Sequence, residues 1–308
     1  MLKIKIGTRG SPLALAQANW VGDRLMQHYG SCKIQVIPIK TAGDRVRKKP
    51  ISQIGGKGLF IKEIEKALLE GEIDLAVHSM KDLPIELPRE SVIAAITKRG
   101  DPFDVFVSRS YTGIENLPFH STVATGSLRR KVQLLHYRSD LIIKDIRGNV
   151  DTRIRKLYRG FAEGLVLAAA ALKRLKQKGR ITQYLHPDIC LPAAGQGALG
   201  IEIRAGDTPL KKKLAVVNDA ESNSIITAER SCLLHLGVSC HTPASAYGEI
   251  NGGAILLKGF IASLDGKIVI KKKMLGPKKD AEILGEFLAT KILNAGGKEL
   301  LAQFSEEQ

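Results

Sequence analysis

Two similar doubly wound α/β blocks followed by a smaller C-terminal α+β unit are the fold class the sequence predicts. Three observations carry that expectation. Short apolar strands alternate with helices through the first two-thirds of the chain, the pattern of layered and mostly parallel sheets. The rhythm halts at Gly100-Asp101-Pro102 and then starts again, so the block occurs twice. From Ala244 onward the pattern changes to hairpin signals, which mark a separate unit.

The elements follow in order. Lys3–Gly7 alternates as a strand. Ser11 caps a helix with Pro12 at its first position, where the missing N–H costs nothing. Lys33–Ile39 is the next strand, Phe60–Leu69 a helix closed by Gly71, and Ile73–Val77 another strand. In the second block Val105–Ser108, Leu141–Asp145 and Gly164–Ala168 read as strands; Leu128–Tyr137, Val150–Tyr158 and Ala169–Lys176 read as helices. An amphipathic helix covers Glu221–Leu236. Asn251-Gly252-Gly253 and Asp265-Gly266 then turn two hairpins, and a last helix runs from about Asp280 to Leu293.

Composition narrows the function. A chain of 308 residues exceeds one small core and implies two or three domains. The longest strongly apolar run, Leu165–Leu172, is far short of the roughly 20 residues of a membrane span. The N-terminus alternates and has no signal-peptide core, and the four cysteines are too sparse for a disulfide framework, so a cytoplasmic protein is expected. The outlier is a net charge of +16. Residues 127–180 alone hold 15 Lys and Arg against 4 Asp and Glu. Nucleic acid is one partner for such a surface. However, aromatics are only 5% and no helix-turn-helix, zinc-finger or ribonucleoprotein signature is present. A small polycarboxylate uses arginine equally well, because the guanidinium fork matches a carboxylate bidentately. No nucleic-acid and no membrane partner is expected.

Against that cationic background one acid stands out. Asp82 follows the strand Ile73–Val77 within His78-Ser79-Met80-Lys81-Asp82-Leu83-Pro84, and an Asp before Leu-Pro can simply make a turn. His78, Ser79 and Lys81 crowd the same strand end, which is where open α/β sheets bind ligands. The arginines recur at strand-to-helix turns, where helix N-termini favour anions. Arg9 and Ser11 occupy the first such turn; Thr125, Ser127, Arg129 and Arg130 occupy its counterpart in the second block. Arg147 and Arg153 flank Gly148-Asn149, and Arg174 follows an apolar strand–helix junction, whereas Arg138, Arg159 and Arg180 read as solvated. Gly55-Gly56-Lys57-Gly58 lacks phosphate-loop spacing and reads as part of a basic lid from Thr41 to Lys57. Cys232, His235, Cys240 and His241 match no standard zinc spacing, so no metal is expected. Cys232 falls inside a helix and reads as core.

Taken together with Ala194-Gly195-Gln196-Gly197 and the late Cys240, these motifs resemble the porphobilinogen deaminase (hydroxymethylbilane synthase) family, from Ile4 to about Gly248 and more loosely to the C-terminus. The resemblance implies two domains like those of periplasmic binding proteins: residues 1–98 with a return segment at about 198–217, and 103–191. A third domain, 220–308, would carry the cofactor cysteine. It implies a transferase that joins four porphobilinogen molecules head to tail, losing ammonia from each, to give hydroxymethylbilane for tetrapyrrole synthesis. Asp82 would be the catalytic carboxylate, stabilising the azafulvenium cation that forms on the substrate when ammonia departs. Cys240 would hold a covalent dipyrromethane cofactor through a thioether, with Lys81, Thr125, Ser127, Arg129, Arg130 and Arg147 around it. Arg9, Ser11, Gln17, Lys57, Phe60, Arg153 and Arg174 would bind substrate. A monomer is implied. Two departures are visible: Val238-Ser239-Cys240 where the family has Gly-Gly-Cys, and Ala171 where it has glycine. The competing reading is a non-enzymatic periplasmic-type binding protein for a small polycarboxylate. It would have a signal peptide and no use for Asp82 or Cys240.

Overall fold

The structure is a computed structural model that describes residues 2–41, 61–238 and 242–306. Two compact units emerge, one from Met1–Gly100 with Gly197–Asn223, the other from Asp101–Gln196 with Ser224–Gln308. No helix among the described residues is long and apolar enough to cross a membrane.

The first unit is built on a five-stranded sheet. Its strands are β1 (Leu2–Arg9), β2 (Cys32–Ile39), β3 (Leu75–Ser79), β4 (Ser91–Ile96) and β10 (Leu199–Arg204), in the order β2-β1-β3-β10-β4. β1 pairs in parallel with β2 and β3, while β10 runs antiparallel to both β3 and β4. The sheet is therefore mixed rather than mostly parallel. Helix α1 (Pro12–Tyr29) starts as expected: the Ser11 hydroxyl accepts from the Ala14 N–H at 3.2 Å, Pro12 opens the helix, and Gly30 ends it at φ +60°. Its inner face, with Val21 and Leu25, packs on Ile4, Ile6, Leu75 and Ile201 of the sheet. Helix α2 (Lys62–Leu69) buries Ile64 and Leu68 against Ile73. β3 lies two residues later than its hydrophobic pattern suggests. Asp74 is drawn into the connection instead, where its carboxylate accepts from the Lys5 N–H at 2.7 Å.

The second unit repeats the plan. β5 (Asp104–Ser108), β6 (Thr122–Ala124), β7 (Ile142–Lys144), β8 (Gly164–Ala168) and β9 (Gln183–Tyr184) lie in the order β7-β6-β8-β5-β9, with β6 parallel to its neighbours and β5 antiparallel to both of its own. The helices α3 (Leu128–Tyr137), α4 (Val150–Tyr158) and α5 (Ala169–Arg174) connect them. Ser127 and Asn149 cap α3 and α4, the latter accepting from Thr152 N–H at 2.9 Å. α6 (Thr208–Leu214) follows β10 in the first unit, and α7 (Ala220–His235) leads into the C-terminal segment.

That segment is a meander of β11 (Ala244–Asn251), β12 (Ala254–Ala262) and β13 (Val269–Gly276), joined at the two expected turns. Helix α8 (Ala281–Ile292) and, past a kink at Gly296 (φ +103°), α9 (Lys298–Glu306) complete it. Leu284, Leu288 and Ile292 pack with Cys232 of α7 and Leu257 of the sheet, so Cys232 is a core residue. A second apolar cluster joins this sheet to the rest of its unit: Tyr247 and Phe260 pack with Val132 of α3 and with Leu191.

Helices α7 and α8 approach so closely that a side chain at Gly285 has no room. A Cβ there would lie 2.4 Å from the Ala228 carbonyl oxygen and 2.7 Å from the Cys232 nitrogen, both backbone atoms. Gly285→Ala is accordingly expected to destabilise the C-terminal segment by about 1–3 kcal/mol. Urea titration should show a lower midpoint at unchanged slope, and an unaltered midpoint would mean that the two helices do not pack this tightly.

Candidate functional site

The carboxyl end of the first sheet forms a pocket. β1 delivers Arg9, the turn after it Ser11, α1 Gln17, and β3 His78 and Ser79; Asp82 completes the lining. Asp82 sits on a single 3-10 turn, Met80–Asp82, whose direction is fixed from below. Met80 is 2% exposed, and its N–H donates to the Ala198 carbonyl at 3.1 Å. Gly200 lies directly beneath it, where a Cβ would come within 2.3 Å of the Met80 sulfur. The missing side chain on β10 thus lets Met80 seat and holds the next two residues at the surface. Lys81 and Asp82 are both exposed. Gln17 is buried and donates to the Ser79 hydroxyl at 2.9 Å, while Thr8 donates to the Val77 carbonyl at 3.3 Å. Arg9, Ser11, Gln17 and Asp82 are therefore brought to one place. Lys57 and Phe60, together with the proposed lid, lie outside the described residues.

The second unit holds its cations differently. At the turn into α3, Ser127 N–H donates to the Thr125 hydroxyl at 3.3 Å, and Ser127 in turn caps the helix. Arg129 and Arg130 point inward and are 8% and 5% exposed. Both reach Asp104 at the start of β5: Arg129 Nη2 lies 2.8 Å from Oδ2, and Arg130 places Nη2 at 2.6 Å and Nε at 3.0 Å from Oδ1. Arg130 also donates to the Val166 carbonyl at 3.1 Å, and Arg129 to that of Leu191. Gln196 adds a donor to Asp104 Oδ1 at 3.0 Å. Asp104 is fully buried, which opposes ionisation, yet the charges of Arg129 and Arg130 and the bonds from Arg130 and Gln196 hold its carboxyl far below the usual range. Nothing in the spacing pointed to Asp104. Its only sequence signal is a charged residue opening the apolar run Val105-Phe106-Val107.

This cluster carries two guanidinium charges against one carboxylate. Cys190 lies 3.3 Å from Asp104 but supplies no second anion, since burial and the neighbouring carboxylate push its thiol up to about 12. One positive charge in excess, largely removed from water, is a fitting environment for a group bearing carboxylates. Three further arginines lie on the same unit. Arg147 lies 3.5 Å from Asp145, Arg153 donates to the Gly148 carbonyl at 2.8 Å, and burial lowers the Arg174 guanidinium to about 10. The donor set of Thr125, Ser127 and these arginines suits dipyrromethane acetates and propionates by its chemistry. Cys240 lies outside the described residues. Cys32, Cys190 and Cys232 are buried free thiols, and no cluster of metal ligands occurs among the described residues.

One arginine behaves differently from its sequence reading. Arg138 is not solvated but pairs with Asp140 and donates to the Ile114 and Leu117 carbonyls, tying down the loop before β6.

Comparison with known proteins accounts for nearly the whole chain. Residues 4–212 match the profile described as porphobilinogen deaminase, dipyromethane cofactor binding domain, and residues 224–294 match the porphobilinogen deaminase C-terminal domain. Curated porphobilinogen deaminases from Geobacter sulfurreducens and Pelobacter propionicus are each 45% identical over 99% of this chain, covering 96% and 98% of their own lengths. One from Natranaerobius thermophilus is 46% identical over 99% of this chain and all of its own. Among solved structures, a putative methionine-binding lipoprotein of Bacillus subtilis is 14% identical, with a TM-score of 0.43 over 71% of this chain and 92% of that one. On the sequence matches, this chain belongs to the porphobilinogen deaminase family.

Proposed function

We propose that this protein is the transferase that condenses four porphobilinogen molecules head to tail, releasing ammonia from each, to form hydroxymethylbilane. The observation that carries the reading is the pocket at the end of the first sheet, where Asp82 shares a wall with Arg9, Ser11 and Gln17. Arg9 meets the substrate's acetate and propionate, and Ser11 and Gln17 orient it. Asp82 lies where positive charge develops as the C–N bond breaks, so the carboxylate lowers that barrier. When bound, dipyrromethane supplies the pyrrole α-carbon to which the first unit is joined. Cys240 anchors it by its sulfur, and a thiol is the side chain suited to that bond. Thr125, Ser127, Arg129, Arg130, Arg147 and Lys81 hold its carboxylates, while Arg153, Arg174, Lys57 and Phe60 serve the incoming substrate and growing chain. Asp104 positions Arg129 and Arg130. The protein acts in the cytoplasm as a monomer.

Intact-mass measurement of the purified protein tests the whole reading. An adduct of two pyrrole units, with ammonia release from porphobilinogen, is expected; a bare polypeptide mass without activity would refute it.

Asp82→Asn should keep the fold and the adduct while turnover falls at least a hundredfold, which corresponds to about 3 kcal/mol. Turnover near that of the unaltered protein would remove Asp82 from the chemistry. Cys240→Ser should give protein without adduct or activity, whereas Cys32→Ala and Cys190→Ala should retain the adduct. Finding the adduct on Cys232 would move the attachment site.

Asp104→Asn leaves two buried guanidiniums without their counter-charge. A cost of about 3–5 kcal/mol in stability is expected, with poor adduct loading. Because the folded-state pKa of Asp104 is depressed, its stabilisation is complete above about pH 4 and is lost as pH falls below that, so acid unfolding should begin at higher pH in the variant. Superimposable acid-unfolding curves would show that the pair contributes nothing.

A further inference from the structure

The chain departs from its family just ahead of the cysteine assigned to the cofactor, where Val238-Ser239 stand in place of two glycines. The structure gives the first of these residues a seat. Past the end of α7 the Leu236 N–H donates to the Cys232 carbonyl at 3.0 Å and the Gly237 N–H to that of Leu234 at 2.9 Å. The Val238 N–H reaches back to the Leu233 carbonyl at 3.5 Å. This is the left-handed closure common at helix ends. Gly237 supplies the turn at φ +65°, with open space where a side chain would stand, so position 238 needs no glycine of its own. Apolar packing of the residue after the turn completes such a closure. Val238 and Leu233 both lie on the cluster formed by Cys232, Leu236, Leu257 and Leu288. The far side is fixed as well. The Ala244 N–H donates to the Thr242 carbonyl at 2.9 Å, the Ala262 N–H to that of Pro243 at 3.0 Å, and Ala244 packs on the same cluster. Only Ser239, Cys240 and His241 stand between Val238 and Thr242 in the chain.

Cys240 follows Val238 by two residues, so the direction in which the chain leaves Val238 governs where the sulfur is carried. A glycine at 238 would leave that direction open, because glycine takes positive and negative φ about equally well. A β-branched side chain seated in a core does the opposite. We propose that Val238 is a positioning residue for Cys240, an assignment that rests on the deaminase reading above. Val238 takes no part in the bond-forming step itself. In that step the Cys240 sulfur bonds to the aminomethyl carbon of porphobilinogen and the C–N bond breaks. Nitrogen leaves with the bonding pair and the thiol proton, as ammonia. What Val238 does is restrict the orientations from which the sulfur approaches, and an approach restricted in advance lowers the entropic part of the barrier. The departure from the family is thus a substitution of one anchor for another: packing on the C-terminal core takes the place of a flexible pair of glycines.

The test uses the full chain produced in cells that make no porphobilinogen, with intact mass following the adduct after porphobilinogen is added. Val238→Gly should load about two- to fivefold more slowly than the unaltered chain, the gain usual for replacing a glycine at a compatible position. Val238→Ile keeps a β-branched side chain on the cluster and should load at the unaltered rate. Iodoacetamide, a probe that needs no orientation, should alkylate Cys240 at one rate in all three, leaving the buried Cys32, Cys190 and Cys232 untouched. A merely structural role would not separate the two rates, since a loosened core exposes Cys232 to the reagent as well. Equal loading of Val238→Gly and the unaltered chain overturns the proposal, and so does slow loading accompanied by labelling of Cys232. Gly237→Ala strains the same closure at φ +65° without altering Val238 and decides the matter if Val238→Gly fails to fold. Slowed loading there supports the proposal and unchanged loading overturns it. An unaltered chain that takes up no adduct on Cys240 refutes the deaminase reading, and the proposal falls with it.

Discussion

One buried carboxylate organises the second unit. Asp104 binds the side chains of Arg129 and Arg130 from α3 and of Gln196 from the segment that leaves the unit. Gln196 also donates to the Pro102 carbonyl, so the two ends of the stretch Asp101–Gln196 meet at the same acid. Charge pairs of this kind are costly to bury and more costly to break. They hold geometry more firmly than apolar contacts do, because each donor has one direction and one acceptor. Whatever the arginines grip is thereby placed relative to β5, to α3 and to the segment ending at Gln196 together.

A neighbouring carboxylate does similar work for the crossing segment. Glu229 on α7 is fully buried and accepts from the Gly195 N–H at 2.6 Å and the Gly248 N–H at 2.7 Å, tying the outgoing loop to β11. The first unit uses His78 and Glu202 instead, which link β3 to β10 under the Asp82 turn. In all three places an acid that a simple hydrophobic pattern would exclude from the core fixes a junction. Polar groups at such junctions trade stability for a single arrangement, a bargain suited to a site that must hold carboxylates at set positions.

The helices were legible because their signals are local. Ser11-Pro12, Ser127 and Asn149 cap where the residue types demand, and α3 and α4 begin and end as the periodicity indicates. Strands were less so. β10 reads Leu199-Gly200-Ile201-Glu202-Ile203-Arg204, and its Gly and buried Glu hide a strand whose partners lie about a hundred residues away. Its antiparallel pairing is likewise invisible to periodicity, which is why the sheets are mixed. The first-unit pocket was legible as a set of residues, since Arg9, Ser11 and Asp82 mark sheet-to-helix turns. The acids behind it were not. Asp104 and Glu202 each look like a charge set in an apolar stretch and Glu229 stands beside Arg230, and only the fold supplies their partners.

The strand order also dictates when each sheet can close. β5 to β9 come from one continuous stretch, so the second unit's sheet is complete as soon as Tyr184 has been made. The first unit's sheet needs β10 between β3 and β4, and that strand arrives only with Leu199–Arg204. On the ribosome the first unit's sheet therefore waits with two bare strand edges while the second unit's sheet is completed. The order of synthesis and closure is inverted for these two sheets. Long-range pairing of this kind is slow to form and leaves sticky edges in the meantime. A nascent chain stalled before residue 199 would be an aggregation hazard rather than a half-built enzyme.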